Sequence, residues 1–129
     1  MISQFAISGA NGSTVPYLQC VAVSTTGSAL GSWYRYSFAY SFFNDYPKLA
    51  VWPDAYYTTF NLFNGANWQG PLVCAYDRAS MLTGAAATQQ CFTPDPSYDS
   101  LLVATIEGSA PSDGTDAYAV SINTGNALS

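Results

Sequence analysis

Short runs of aromatic and β-branched residues, interrupted by Gly, Pro, Asn and Asp, set the pattern along this chain. Residues 17–25, 32–40, 55–63 and 70–77 are rich in Tyr, Val, Phe, Trp and Thr, side chains that suit a half-buried pleated surface. Clusters such as Trp52-Pro53-Asp54 and Phe63-Asn64-Gly65 punctuate them and predict turns. One stretch, Arg78 to Ala87, has helical character, but Gly84 directly after Thr83 limits it to a single short turn. The pattern predicts an all-β, antiparallel protein.

The chain also repeats itself. Asp54-Ala55-Tyr56-Tyr57-Thr58-Thr59-Phe60-Asn61 recurs as Asp116-Ala117-Tyr118-Ala119-Val120-Ser121-Ile122-Asn123. Phe5-Ala6-Ile7-Ser8-Gly9-Ala10-Asn11 echoes the segment from Phe60 through Gly65-Ala66-Asn67, and Leu18-Gln19-Cys20-Val21-Ala22 echoes Leu72-Val73-Cys74-Ala75-Tyr76. A period near 55 residues with four short strands per unit predicts four-stranded blades of β-propeller type. With strands lettered A to D from the inside of a blade outward, 2–8, 17–25 and 32–40 are B, C and D of a partial blade (1–42). Strands 47–52, 55–63, 70–77 and 88–93 make a complete blade (43–95). Strands 100–106 and 116–123 start a further one (96–129). All 129 residues are expected to form a single module of about two blades plus extra strands. Closed propellers hold about four to eight blades. The blade edges are therefore expected to need partners: copies of the same chain, in a ring or a filament, or further blades of the same protein.

The middle of the chain resembles a family of secreted bacterial β-propeller-like proteins. The residues that carry the resemblance are Gly31-Ser32-Trp33-Tyr34-Arg35-Tyr36-Ser37-Phe38, then Asn44 through Tyr57, Val73-Cys74-Ala75-Tyr76-Asp77-Arg78 and Gln89-Gln90-Cys91-Phe92. The resemblance spans residues 2 to 125 and implies blades and secretion, without a shared ligand. Family members look longer, with more blades.

Composition narrows the functional classes. Charged residues are 9% of the chain, net charge is −5, and Arg35, Lys48 and Arg78 are the only cations. Nucleic-acid binding and adhesion to anionic lipid both need clustered Lys and Arg, so neither is expected. No run of about eighteen apolar residues predicts a membrane span. The first residues lack the basic and apolar regions of a signal peptide. The polar but uncharged composition points to an extracellular or periplasmic, secreted protein.

Candidate chemistry is sparse. Histidine is absent, which removes Ser-His-Asp and Cys-His catalysis. Three scattered cysteines lack zinc spacing, and Asp95 to Asp99 and Asp113 to Asp116 lack the EF-hand pattern. No metal, cofactor or catalytic residue is assigned. Cys74 and Cys91, expected on adjacent strands, are the candidates for a disulfide. Cys20 takes the place of Cys74 in the earlier unit and faces no cysteine, which favours a buried thiol. Asp45, Asp54, Asp77 and Glu107 could serve glycoside hydrolysis only as a pair about 5–10 Å apart. Turn roles fit Asp54 and its echo Asp116 better, and Asp77-Arg78 reads as a local ion pair. Trp33 and Trp52 read as packing residues. Trp68 and Asn67, on the expected turn Asn64 to Gly70, are the candidate ligand contacts, for a glycan stacked on the indole. Asn11-Gly12-Ser13 has the form of a glycosylation acceptor. The leading expectation is a non-enzymatic extracellular structural or interaction protein that assembles through unfinished blade edges. The alternatives are a carbohydrate-binding module or a fragment of a polysaccharide-active propeller enzyme.

Overall fold

A computed structural model describes residues 1–8, 14–112 and 114–121. Among them nine strands form three antiparallel sheets. β1 (Ile2–Ser8), β2 (Thr14–Ser24) and β3 (Trp33–Tyr40) make the first. β4 (Phe43–Val51), β5 (Ala55–Asn64), β6 (Asn67–Asp77) and β7 (Gln89–Phe92) make the second, and β8 (Leu102–Val103) with β9 (Ala119–Val120) the third. Within each sheet strands pair in chain order. The three-, four- and two-strand division follows the expected one, and no sheet among the described residues closes into a barrel.

Several element boundaries differ from the expectation, the start of β2 at Thr14 rather than at 17 among them. β4 begins at Phe43 rather than at 47, because the chain crosses Pro47 through a bulge between Asp45 and Lys48, with Tyr46 at φ 54°. Proline cannot donate to the ladder, and the bulge absorbs the interruption. β6 begins at Asn67 rather than at 70, since Asn64 pairs with Asn67 across a turn of only Gly65 and Ala66. Gly65 sits at φ 61°, a conformation it adopts without steric cost. β8 and β9 are two residues each, and most of 93–121 is irregular.

The one helix among the described residues, α1 (Arg78–Thr83), is as short as the sequence predicts. Asp77 caps it by accepting from the Ser80 N–H and hydroxyl, and Gly84 ends it at φ 76°. A side chain at Gly84 would strike the Tyr34 ring.

The main core lies between the first and second sheets. Tyr17, Val21, Val23, Phe38 and Tyr40 from one side meet Tyr56, Phe60, Leu72, Cys74 and Tyr76 from the other, with Met81 of α1 at the end. Phe38 stacks on Tyr76 with ring centroids 4.2 Å apart, and Tyr40 tilts over Phe60. The Tyr40 and Tyr76 hydroxyls share a hydrogen bond, and Tyr40 also donates to Gln89 Oε1. Burial raises the pKa of both phenols, Tyr40 to about 12. A buried amide pair also crosses this core: Asn44 Nδ2 donates to Gln19 Oε1.

The other face of the second sheet is covered by residues 93–112 and 114–121. Here Ala50, Ala55, Thr59 and Leu101 are buried, and hydrogen bonds tie the segment to the sheet. Thr59 Oγ1 donates to the Leu101 carbonyl, Ser100 N–H to Asn61 Oδ1, and Ile106 N–H to the Val51 carbonyl. Trp52 is buried, as a packing residue should be, and its Nε1 donates to the Thr115 carbonyl. Trp33 is only half-buried, at the edge of the first sheet.

Candidate functional site

The repeat, seen in three dimensions, singles out a surface. Gln4, Cys20 and Ser37 lie side by side across the first sheet, and Thr58, Cys74 and Cys91 side by side across the second. The two rows are displaced by the same 54 residues on all three strands. The next rows obey the same displacement: Ile2, Ala22 and Arg35 answer to Tyr56, Tyr76 and Gln89. Side chains alternate across a sheet. Tyr56, Cys74 and Tyr76 are in the core between the sheets, while Cys20 and Ala22, beside the core residues Val21 and Val23, turn to the outer face of the first sheet.

That outer face is open. Where the second sheet presents Tyr56 and Tyr76, the first presents Ile2 and Ala22; where the second has Phe60, the first has Ala6. Over Ile2 and Ala22, both smaller than the tyrosines they answer to, lies an apolar hollow of about 430 Å³. Its floor is Cys20, Ala22 and Ser37, and Ile2, Gln4 and Arg35 stand around it, with Ile2 60% exposed.

The register also corrects one sequence echo. Phe5 and Phe60 look equivalent in sequence, but the residue at the structural place of Phe60 is Ala6. Phe5 points the opposite way and meets Phe43 of the second sheet edge-on at 5.5 Å. A slip of one residue moves a side chain to the other face.

Cys74 and Cys91 form the expected disulfide between directly opposed positions of β6 and β7, with Cα atoms 4.1 Å apart. Cys20 faces Ser37 and is free. It is half-buried on the open face rather than buried as expected, because no sheet covers that side among the described residues.

Trp68 and Asn67 are on strand β6, not on a turn. Trp68 is 37% exposed, packs edge-on against Phe63, and donates Nε1 to the Pro96 carbonyl. Asn67 is exposed and donates Nδ2 to the Asn64 carbonyl.

The carboxylates do local work. The turn at Trp52-Pro53-Asp54 is closed by the Trp52 N–H to the Ala55 carbonyl, and Asp54 Oδ2 accepts the Tyr57 hydroxyl. Partial burial, then this bond and the nearby charges of Asp54 and Asp116, push the Tyr57 pKa up to about 12. Asp77 does not pair with Arg78. Its carboxylate is taken by Ser80, which lowers its pKa, and Arg78 donates instead to the Pro53 carbonyl. Asp54 and Asp77 border one cavity, of about 330 Å³. Asp77, held ionised as a helix cap, is unsuited to the proton-donor role that glycoside hydrolysis requires. No group of three or more His, Cys, Asp or Glu is placed to hold a metal among the described residues. Asp113 and Asn11-Gly12-Ser13 lie outside the described residues, as do Ile122 and Asn123 of the second echo.

Comparison of the chain with described protein families, curated proteins and solved structures finds no match. Sheet geometry and residue chemistry therefore carry the functional reading.

Proposed function

We propose that this chain is a non-enzymatic, extracellular structural or interaction module that associates through the open face of its first sheet. In this reading the sheets are blades of the propeller-like type the sequence resembles. The observation that carries it is the apolar hollow over Cys20 and Ala22, in a row whose counterpart 54 residues on is covered by a neighbouring sheet. An uncovered apolar sheet face is a contact surface in most folds that expose one. The Cys74–Cys91 disulfide fits an oxidising compartment, and no helix among the described residues is long and apolar enough to cross a membrane.

The test is the solution mass. Sedimentation velocity over a wide concentration range should show species heavier than the 13.7 kDa chain. A single monomeric boundary at every concentration would rule this reading out.

A second reading, a carbohydrate-binding module, is favoured by the exposed indole of Trp68 beside Asn67 and Gln69. Titration with polysaccharide fragments should then give heat that Trp68→Ala abolishes, and silence across a glycan panel would count against it.

A further inference from the structure

On the side of the second sheet away from the first, Tyr57, Val73 and Phe92 share one face. Val73 and Phe92 are directly opposed across β6 and β7, and Tyr57 stands in the next row of that face, opposite Ala75. Val103 of β8 and residues 116–119 complete the lining of a cavity of about 450 Å³, a volume in the range of small-ligand pockets.

Three aromatic rings and one carboxylate mark this cavity. Tyr57 is half-buried, while Phe92 is 55% exposed and Tyr118 62%. Each ring is tied down close by: the Tyr57 hydroxyl donates to Asp54 Oδ2, Phe92 follows the bridged Cys91, and the Tyr118 carbonyl accepts from the Ala104 N–H. The carboxylate is that of Asp116, which is exposed and accepts no hydrogen bond among the described residues. No Lys or Arg lines the cavity. Arg35 is on the first sheet, Lys48 lies over the Tyr46 ring, and Arg78 donates to the Pro53 carbonyl. Tyr57 and Phe92 also line the cavity that Asp54 and Asp77 border, so carboxylates lie to both sides of these rings. After partial burial and the Asp54 bond, the charges of Asp54 and Asp116 also raise the Tyr57 pKa, which marks the field at this ring as negative.

Residue chemistry selects the ligand class. An organic cation is attracted to aromatic ring faces and to a carboxylate, and alkyl groups on it ask for no hydrogen bond. A sugar fits worse, because each hydroxyl taken out of water needs a partner. Apart from the Tyr57 and Tyr118 hydroxyls and Asp116, the lining has no polar side chain. An anion would meet Asp116 with nothing to offset it. We propose that this cavity binds an alkylated ammonium group, held against the rings of Tyr57, Phe92 and Tyr118 with Asp116 balancing its charge. The site is on the opposite side of the second sheet from the hollow over Ala22, and it does not depend on the association proposed above.

The experiment is calorimetric titration of the full chain with choline, and with its uncharged analogue in which a tert-butyl group replaces the trimethylammonium. Choline should bind, and the analogue at least about fivefold more weakly, since it lacks the charge that rings and carboxylate attract. Phe92→Leu and Tyr118→Leu keep apolar bulk and remove a ring from an exposed position. Each should weaken choline about two- to fivefold and leave the analogue unchanged. Asp116→Asn should weaken choline by a similar factor, about two- to fivefold, and less so at high salt. Pelleting with phosphatidylcholine vesicles, prevented by free choline, would assign the ammonium to a lipid head group. Choline binding without pelleting would assign it to a free solute, and both results support the site. Equal affinity for choline and its analogue would reduce the cavity to an apolar pocket and overturn the proposal. So would silence toward choline, or choline binding that all three variants leave intact.

Discussion

The second sheet is packed on both faces, and the two faces are built differently. Toward the first sheet it presents Tyr56, Phe60, Leu72 and Tyr76 to Phe38 and Tyr40, a contact made of ring surface with a few hydroxyl bonds inside it. Toward residues 93–121 it presents Thr59, Asn61, Trp52 and the Val51 backbone, and most of what binds them is a carbonyl or a hydroxyl. Burial of apolar surface contributes about 25 cal/mol per Å², whereas a hydrogen bond contributes a net of about 1 kcal/mol because water competes for both partners. The first interface should therefore dominate stability. The second should mainly hold a loop-rich segment in place.

The largest expected effect is alkaline unfolding. Tyr40 and Tyr57 have folded-state pKa values near 12, and Tyr76 is also raised, all against an ordinary value of 10.0. Raised phenol values mean that the contribution to stability is complete below pH 10 and is lost as pH rises through about 12. Circular dichroism recorded with tyrosinate absorbance should show cooperative loss of structure in that window, with these phenols ionising together with unfolding. Gradual ionisation of all ten tyrosines with the fold intact would contradict the burial described for the first interface.

Next in size is Phe60→Ala, which removes a ring wholly inside the first interface and should cost about 3–5 kcal/mol in urea unfolding. Breaking the Cys74–Cys91 bridge by replacing both residues with Ala should cost about 3 kcal/mol, as expected for a loop of this length. The repeat gives the converse experiment. Ser37→Cys opposite Cys20 copies the geometry of that bridge into the first sheet and should add stability, by at most about 3 kcal/mol, under oxidising conditions only. Mass spectrometry that finds both thiols still free would show that the 54-residue correspondence fails at side-chain level. The smallest effect belongs to the second interface. Thr59→Val removes the bond to the Leu101 carbonyl and should cost about 1–2 kcal/mol, read by the same urea unfolding. A cost equal to that of Phe60→Ala would erase the contrast between the two faces.

Much of the architecture was readable from residue order. Runs of Tyr, Val, Phe and Thr between Gly, Pro, Asn and Asp specify strands, because those side chains suit a pleat and those turn residues tolerate the needed backbone angles. Cys74 and Cys91 could be paired because adjacent antiparallel strands bring them opposite one another. The polar stretch Asn64 to Gly70 suggests a long turn that would carry Trp68, whereas the hairpin turns at Gly65-Ala66 alone and leaves Trp68 on the strand.

The hollow was not readable, for a physical reason. Ala22 and Cys20 are unremarkable in sequence, and their meaning appears only when register sets them in the row equivalent to Tyr76 and Cys74. The sequence echo itself misleads here: it aligns Phe5 with Phe60, one residue away from the structural match, and one residue reverses the face. Residue order alone specifies which segments are strands, where they turn, and that the unit repeats, since those follow from local backbone and side-chain preference. Which face of the first sheet is covered and which is open emerges only on folding, because facing depends on pairing register between segments distant in the chain.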